Sequence, residues 1–154
     1  MKYHSAVLFV TAIETSTKFY TQLLGLKVAD DFGNNLAFEQ GLSLWQVQGS
    51  HEIAKNLPVP GLGNRFELCF EHEDMDDLYE QLKSAKVKFF QHLNEETWGQ
   101  RTVRFFDPDG HLIEVGEPME LFVRNLAQRG LSETEIHKKT GMPIVTVNEI
   151  LNLK

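Results

Sequence analysis

Residues 98–116 read WGQRTVRFFDPDGHLIEVG, and this stretch predicts a strand, a tight turn and a second strand. Residues 102–106 are rich in β-branched and aromatic side chains that suit a pleated, half-buried surface. Asp107-Pro108-Asp109-Gly110 carries Pro and Gly where a type I or II turn wants them, and residues 112–115 resume the extended pattern. The result is a hairpin whose last inward position is an acid, Glu114, delivered to a sheet face.

Working outward, residues 3–10 alternate as a strand. Residues 14–24 place Phe19, Tyr20, Leu23 and Leu24 at helical spacing, with Gly25 suited to the C-terminal cap. Three short extended pieces follow at 26–31, 36–39 and 42–47, punctuated by Gly33-Asn34-Asn35 and Gln40-Gly41. A Pro/Gly-rich connection at 57–63 leads to a strand at 65–71. A helix is predicted over 74–84, with Met75, Leu78, Tyr79 and Leu82 on one face and acids at its start, where the helix dipole favours them. Strands at 87–91, 101–106 and 112–115 complete a second βαβββ unit. Tyr20, Gln22, Leu23, Lys27 and Val28 have counterparts at one fixed offset in Tyr79, Gln81, Leu82, Lys86 and Val87, as an internal duplication would leave.

The DPDG hairpin and the helix exit FYTQLLGLKV, together with the repeated βαβββ order, resemble the vicinal-oxygen-chelate superfamily of glyoxalases, bleomycin-resistance proteins and ring-cleaving dioxygenases. The expected fold is therefore α+β, with paired βαβββ modules at about 1–56 and 64–117 in one domain spanning 1–117, followed by a small helical extension at 118–154. The resemblance further implies a homodimer, a small-molecule cavity cupped by the curved sheets, and a final metal ligand at the strand-borne Glu after DPDG.

Length and composition bound the possibilities. A chain of 154 residues, 42% of them hydrophobic, can bury one ordinary core with a small appendage. A formal charge of −7 argues against non-specific nucleic-acid binding, which needs a basic face. The single cysteine, Cys69, excludes an internal disulfide and any multi-Cys zinc site, and its apolar surroundings favour a structural thiol. No apolar run suits a signal peptide or a membrane span, so a cytoplasmic protein without membrane association is the expectation.

The candidate site is strongest in the second module. Period-two alternation puts Glu67 and Cys69 on one strand face and sets Glu114 opposite in face to Ile113 and Val115. Two acids on an inward sheet face are costly unless a cation, a proton or a donor compensates them; the resemblance makes Glu67 and Glu114 the candidate metal ligands, and they are also the candidate catalytic acid and base. One of the two is expected to have a raised pKa. In the first module the resemblance points to Ser5, where metalloenzymes of the superfamily usually carry His, and to Ser43, with Gln46 as a register-slip alternative and His4 available only through a bulge. Phe9, Trp45, Glu71, Thr102 and Arg104 join by face, and Trp98-Gly99-Gln100 by position at the mouth of a loop. Arg101 and Arg104 differ in face, so one of them points inward. His111 is expected as a solvent-exposed turn exit.

The ligand-binding candidates are thus Ser5, Phe9, Ser43, Trp45, Trp98 and Arg104. Three site types stay open: a carboxylate-rich site for a divalent metal (Zn, Ni, Mn or Fe), a metal-free cavity using the two acids, and a pure binding role; no organic cofactor is expected. The corresponding functions are a metal-assisted lyase or isomerase, or a dioxygenase, against a resistance-type binding protein or a ligand sensor.

The tail from Met119 resembles a helix-turn-helix. Ser132 with Glu135 fits a capping box, Gly141 a helix stop and Pro143 the first turn of the next helix. It carries five bases against four acids, a balance of +1 that leaves −8 on the rest. Its second helix offers few base-reading side chains and includes Glu149, which favours docking or oligomerisation over DNA reading.

Overall fold

The computed structural model describes residues 5–50 and 67–152 of the chain; His4 and the Pro/Gly-rich connection at 57–63 lie outside them. Two compact units are present. One holds the described part of Met1–Arg65 with Asp107–His111, and the other that of Phe66–Phe106 with Leu112–Lys154.

The first unit begins with β1 (Ala6–Phe9), α1 (Ile13–Lys18), and a wider π-helical turn at Phe19–Leu23 in which the Leu24 N–H reaches back to the Phe19 carbonyl at 3.3 Å. Gly25 closes the helix at φ +68°, a left-handed conformation that costs glycine little. Strands β2 (Val28–Asp31), β3 (Asn35–Phe38) and β4 (Leu42–Trp45) follow. The sheet order is β1-β4-β3-β2, with β1 parallel to β4 and the other pairs antiparallel. Leu8, Val10, Leu36, Phe38, Leu42 and Leu44 point to the helix side, where Tyr20 is fully buried.

Helix α1 lacks a cap of its own, because Ala12 at its N-terminus has no polar side chain. The exposed donors are met from a distance. Asp109 accepts from the Thr11 N–H at 3.0 Å, the Thr11 hydroxyl at 2.6 Å and the Ser16 hydroxyl at 3.0 Å. Gln46 Oε1 accepts from the Ile13 N–H at 2.7 Å. Gln46, an alternative site position by register, is therefore engaged as a helix cap. The DPDG turn, beyond reversing the chain, supplies a carboxylate that fastens Thr11 and Ser16 on either side of this helix start.

The second unit repeats the plan with β5 (Glu67–Glu71), α2 (Met75–Ser84), β6 (Lys88–Glu95), β7 (Arg101–Phe106) and β8 (Leu112–Gly116). Its order, β5-β8-β7-β6 with β5 parallel to β8, is that of the first sheet. This identity of topology is the duplication that the sequence offset traces. Asp74 caps α2 by accepting from the Asp77 N–H at 3.0 Å, and the helix buries Met75, Leu78 and Leu82. Val103, Phe105, Ile113 and Val115 fill the helix side of the sheet. Strand β6 runs past the expected end at 91, through irregular register between Phe89 and Asn94, until Glu95 pairs with Arg101. Such irregularity breaks strict alternation, which is why residues 92–95 do not read as strand.

The same unit carries α3 (Met119–Gln128), α4 (Glu133–Thr140) and α5 (Ile144–Asn152). The expected capping box forms at Ser132 and Glu135, and Gly141 ends α4 at φ +73°. Phe122, Val123, Leu126, Ile136, Met142, Val147 and Ile150 make one buried cluster, with Trp98 packed against it. Among the described residues, no helix is long and apolar enough to cross a membrane.

Candidate functional site

Glu67 and Cys69 on β5, Glu114 on β8 and Arg104 on β7 share the face of the second sheet away from α2, because the odd positions of β7 enter the core and the even ones leave it. Ladder register sets Cys69 opposite Glu114 and Arg104 opposite Glu114. Arg104 forms ion pairs with three carboxylates. Its Nη2 contacts Glu114 Oε2, its Nη1 lies 2.7 Å from Glu96 Oε1, and its Nε lies 3.6 Å from Glu67 Oε2. Nη1 also donates to Gln91 Oε1 at 2.8 Å. Glu96 Oε1 accepts in addition from the buried Thr102 hydroxyl at 2.8 Å and from Gln91 Nε2 at 3.1 Å.

The electrostatics set Glu114 and Glu96 apart. Burial pushes the Glu114 carboxyl above its ordinary value; Arg104 opposes this, while Glu67 and Glu96 add to it. The Arg104 hydrogen bond holds Glu96 below its ordinary value, helped by Gln91 and Thr102 against the effect of burial. Burial likewise raises the Cys69 thiol, with Glu114 and Glu67 adding and Arg104 opposing. Cys69 is therefore held as a thiol, a weak nucleophile.

Glu67, Cys69 and Glu114 each bring one ligand atom within 4.8 Å of the others, the spacing a bound cation would exploit. The donor chemistry does not fit a resident divalent ion as arranged. The carboxylates a metal would use are already engaged: the guanidinium of Arg104 pairs with both Glu114 and Glu67, and its positive charge lies where a divalent ion would have to sit.

The other Arg considered, Arg101, points to the helix side and makes a bidentate pair with Asp76 on α2 at 3.0 and 2.5 Å. On the first sheet, Ser5, Phe9, Ser43 and Trp45 share the face away from α1. Phe9 and Trp45 are register partners with ring centroids 6.0 Å apart, and Ser43 donates to the Ser5 hydroxyl at 3.5 Å. Trp98 packs on the C-terminal helical cluster, with its indole N–H donating to Gln100 Oε1 at 3.0 Å.

His111 differs from expectation. It is not a solvent-exposed turn exit: its Nδ1 lies 2.7 Å from Asp107 Oδ2, and the Asp107 side chain is fully buried. Asp107 also accepts from the Tyr20 hydroxyl at 2.9 Å and from the N–H groups of Asp109 and His111. Glu96 and Gln91, which hold Arg104 in place, gave no sequence signal. Glu96 sits in the turn after β6, outside any alternation, and Gln91 falls at a register shift.

Residues 3–120 match the family model of the glyoxalase-like domain. A protein of unknown function from Agrobacterium tumefaciens str. C58 is 35% identical, with a TM-score of 0.67 over 77% of this chain and 95% of that one. A glyoxalase/bleomycin resistance protein/dioxygenase from Nocardioides shares the fold at 22% identity and a TM-score of 0.60, over 76% of this chain and 83% of that one. Lactoylglutathione lyase from Agrobacterium tumefaciens does so at 24% identity and a TM-score of 0.56, over 75% and 92%. With its two topologically identical βαβββ units and the DPDG hairpin between β7 and β8, the chain belongs to the glyoxalase-like domain family, within the vicinal-oxygen-chelate superfamily.

Proposed function

We propose that this protein binds a small organic cation on the open face of its second sheet, without a resident divalent metal. The observation that carries the reading is the surplus of negative charge around Arg104: one guanidinium faces the three carboxylates of Glu67, Glu96 and Glu114. The excess favours a cationic ligand at close range, where solvent screening is reduced. Glu114, whose carboxyl burial raises above its ordinary value, gains from any added positive partner. It is also a stronger base than Glu96 and the better candidate to accept a proton from a bound molecule.

Members of the superfamily bind small molecules and often dimerise. The competing reading, a metal-assisted lyase or isomerase with Glu67 and Glu114 as ligands, rests on the convergence of those groups with Cys69 and requires Arg104 to leave them. Calorimetry separates the two. Titrating n-butylammonium and, separately, Zn²⁺, Ni²⁺, Mn²⁺ and Fe²⁺ into the wild type and a Glu67→Gln/Glu114→Gln variant should show saturable binding of the amine that the variant loses. Stoichiometric metal binding lost in the same variant, with no amine binding, would return the protein to the metal-assisted reading.

A further inference from the structure

The C-terminal helices build a second compartment at the end of the same sheet face. A cavity of about 480 Å³, within the size range of small-molecule pockets, has Glu71, Trp98, Gln100, Met119, Phe122 and Met142 in its wall. Glu71 follows Glu67 and Cys69 on the outward positions of β5, so its carboxylate continues their row. Successive outward residues on a strand are about 7 Å apart. A ligand seated in the cavity therefore lies one to two pleats from the Glu114 and Glu67 carboxylates.

The wall is constructed from paired groups. Gly116, the ladder partner of Glu71, has no Cβ, and one placed there would lie 2.8 Å from Gln100 Nε2. That vacancy lets the Gln100 amide lie over the sheet. There its Nε2 donates to the Glu117 carbonyl at 2.7 Å and its Oε1 holds the Trp98 indole N–H at 3.0 Å. Gly99, at φ +99°, brings the loop so close that a Cβ would meet Leu126 of α3 at 2.9 Å. The loop is thereby clamped between sheet and helices with an indole in the wall. Phe122 and Met142 belong to the buried cluster, and Met119 is 47% exposed. Much of this wall comes from beyond residue 120, where the family match ends.

We infer that the helical extension makes this protein select an amphiphilic cation, whose apolar body fills the Trp98, Met119, Phe122 and Met142 compartment while its ammonium sits at the Glu71 end of the row that continues to Glu114 and Glu67. The inference rests on the cation-binding reading of that face. It differs in assigning the apolar half of the ligand to the extension, and in giving Trp98 a place in the binding wall.

A Trp45→Phe background leaves Trp98 as the sole indole reporter. Into it, n-butylammonium, n-octylammonium below its micellar concentration and octan-1-ol are titrated, following Trp98 emission and, by calorimetry, total binding. Each methylene buried should tighten binding about fourfold, so the octyl amine is expected to bind at least about tenfold more tightly than the butyl amine and to shift Trp98 emission saturably. Glu71→Gln should bring the octyl amine toward the affinity of octan-1-ol, and Met119→Lys should abolish the emission change. Both residues are exposed, and near-ultraviolet circular dichroism checks that the variants fold. Equal affinity for the two amines, or octyl amine binding that leaves Trp98 unaffected, would overturn the inference. If butylammonium still binds and is lost in Glu67→Gln/Glu114→Gln, the cation-binding function stands without it; absence of binding by either amine removes both.

Discussion

Arg104 and Glu114 stand directly opposite one another on β7 and β8, and the guanidinium reaches from that pair to Glu96 and Glu67 as well. A cation supplied by the chain thus pairs with the carboxylates that the superfamily resemblance assigns to a metal. A charged hydrogen-bonded group of this kind is fixed by its partners. Removing one side leaves the half-buried groups on the other without compensation.

Arg104→Met should therefore open these carboxylates to a metal. With Glu67 and Glu114 released beside Cys69, whose ligand atoms lie within 4.8 Å, calorimetric titration should show Zn²⁺ binding that Glu114→Gln abolishes. The same substitution should destabilise the metal-free protein by about 2–3 kcal/mol, measured by urea unfolding with chelator present. Tight Zn²⁺ binding by the wild type would show that Arg104 does not stand in for the metal.

Glu96 and Glu114 share Arg104 yet titrate on opposite sides of the ordinary glutamate value of 4.5, Glu96 below it and Glu114 above. Carbon-detected NMR of the side-chain carboxyls should resolve the two. In Arg104→Met the Glu96 value should rise, because it loses its largest stabilising partner, and the Glu114 value should rise further. Coincident titrations in the wild type would contradict the arrangement around the guanidinium.

The Tyr20, Asp107 and His111 network sets a pH window for stability. Burial alone would raise Asp107, but the His111 hydrogen bond and charge, with the Tyr20 hydroxyl, bring it below 3.8. Burial alone would lower His111, but the Asp107 hydrogen bond and charge, with Asp109, bring it above 6.5. A depressed Asp contributes stability above its unfolded value that is lost as pH falls through the folded one; a raised His contributes below its unfolded value and loses it as pH rises. The two overlap between about pH 4 and 6.5, where the network contributes most. Against this, His111→Asn should flatten the alkaline limb of a melting-temperature profile, and Tyr20→Phe should cost about 1.5–3 kcal/mol throughout the window.

Much of this was legible in the sequence because alternation and punctuation are local. The β7–β8 hairpin, the α2 face of Met75, Leu78 and Leu82, and the Ser132–Glu135 box each follow from residues within a few positions of one another. The same alternation brought Glu67, Arg104 and Glu114 to one face. What pairing adds could not be read that way. Asp109 accepts from the Ser16 hydroxyl 93 residues earlier, and Asp107 meets Tyr20 across 87 residues, so the polar side chains of DPDG looked like turn chemistry alone. Glu96 and Gln91 were hidden by a turn and a register shift, and His111 by the assumption that a turn exit faces solvent.

Gly116→Ala tests whether the Gln100 amide truly depends on the missing side chain. The position has no positive φ, so alanine brings no backbone strain, and the effect is confined to the 2.8 Å approach to Gln100 Nε2. That atom ends a flexible chain, yet it is held by the Glu117 carbonyl and, through Oε1, by Trp98. Displacing it should break both bonds at a cost of about 1–2 kcal/mol and free the indole N–H to water, giving a red shift of Trp98 emission in a Trp45→Phe background. Gln100→Ala should reproduce the spectral change, and Gly116→Ala should then add little to it, because the two substitutions act on one contact. Additive effects of the pair would place the consequence of Gly116 elsewhere in the β5–β8 ladder.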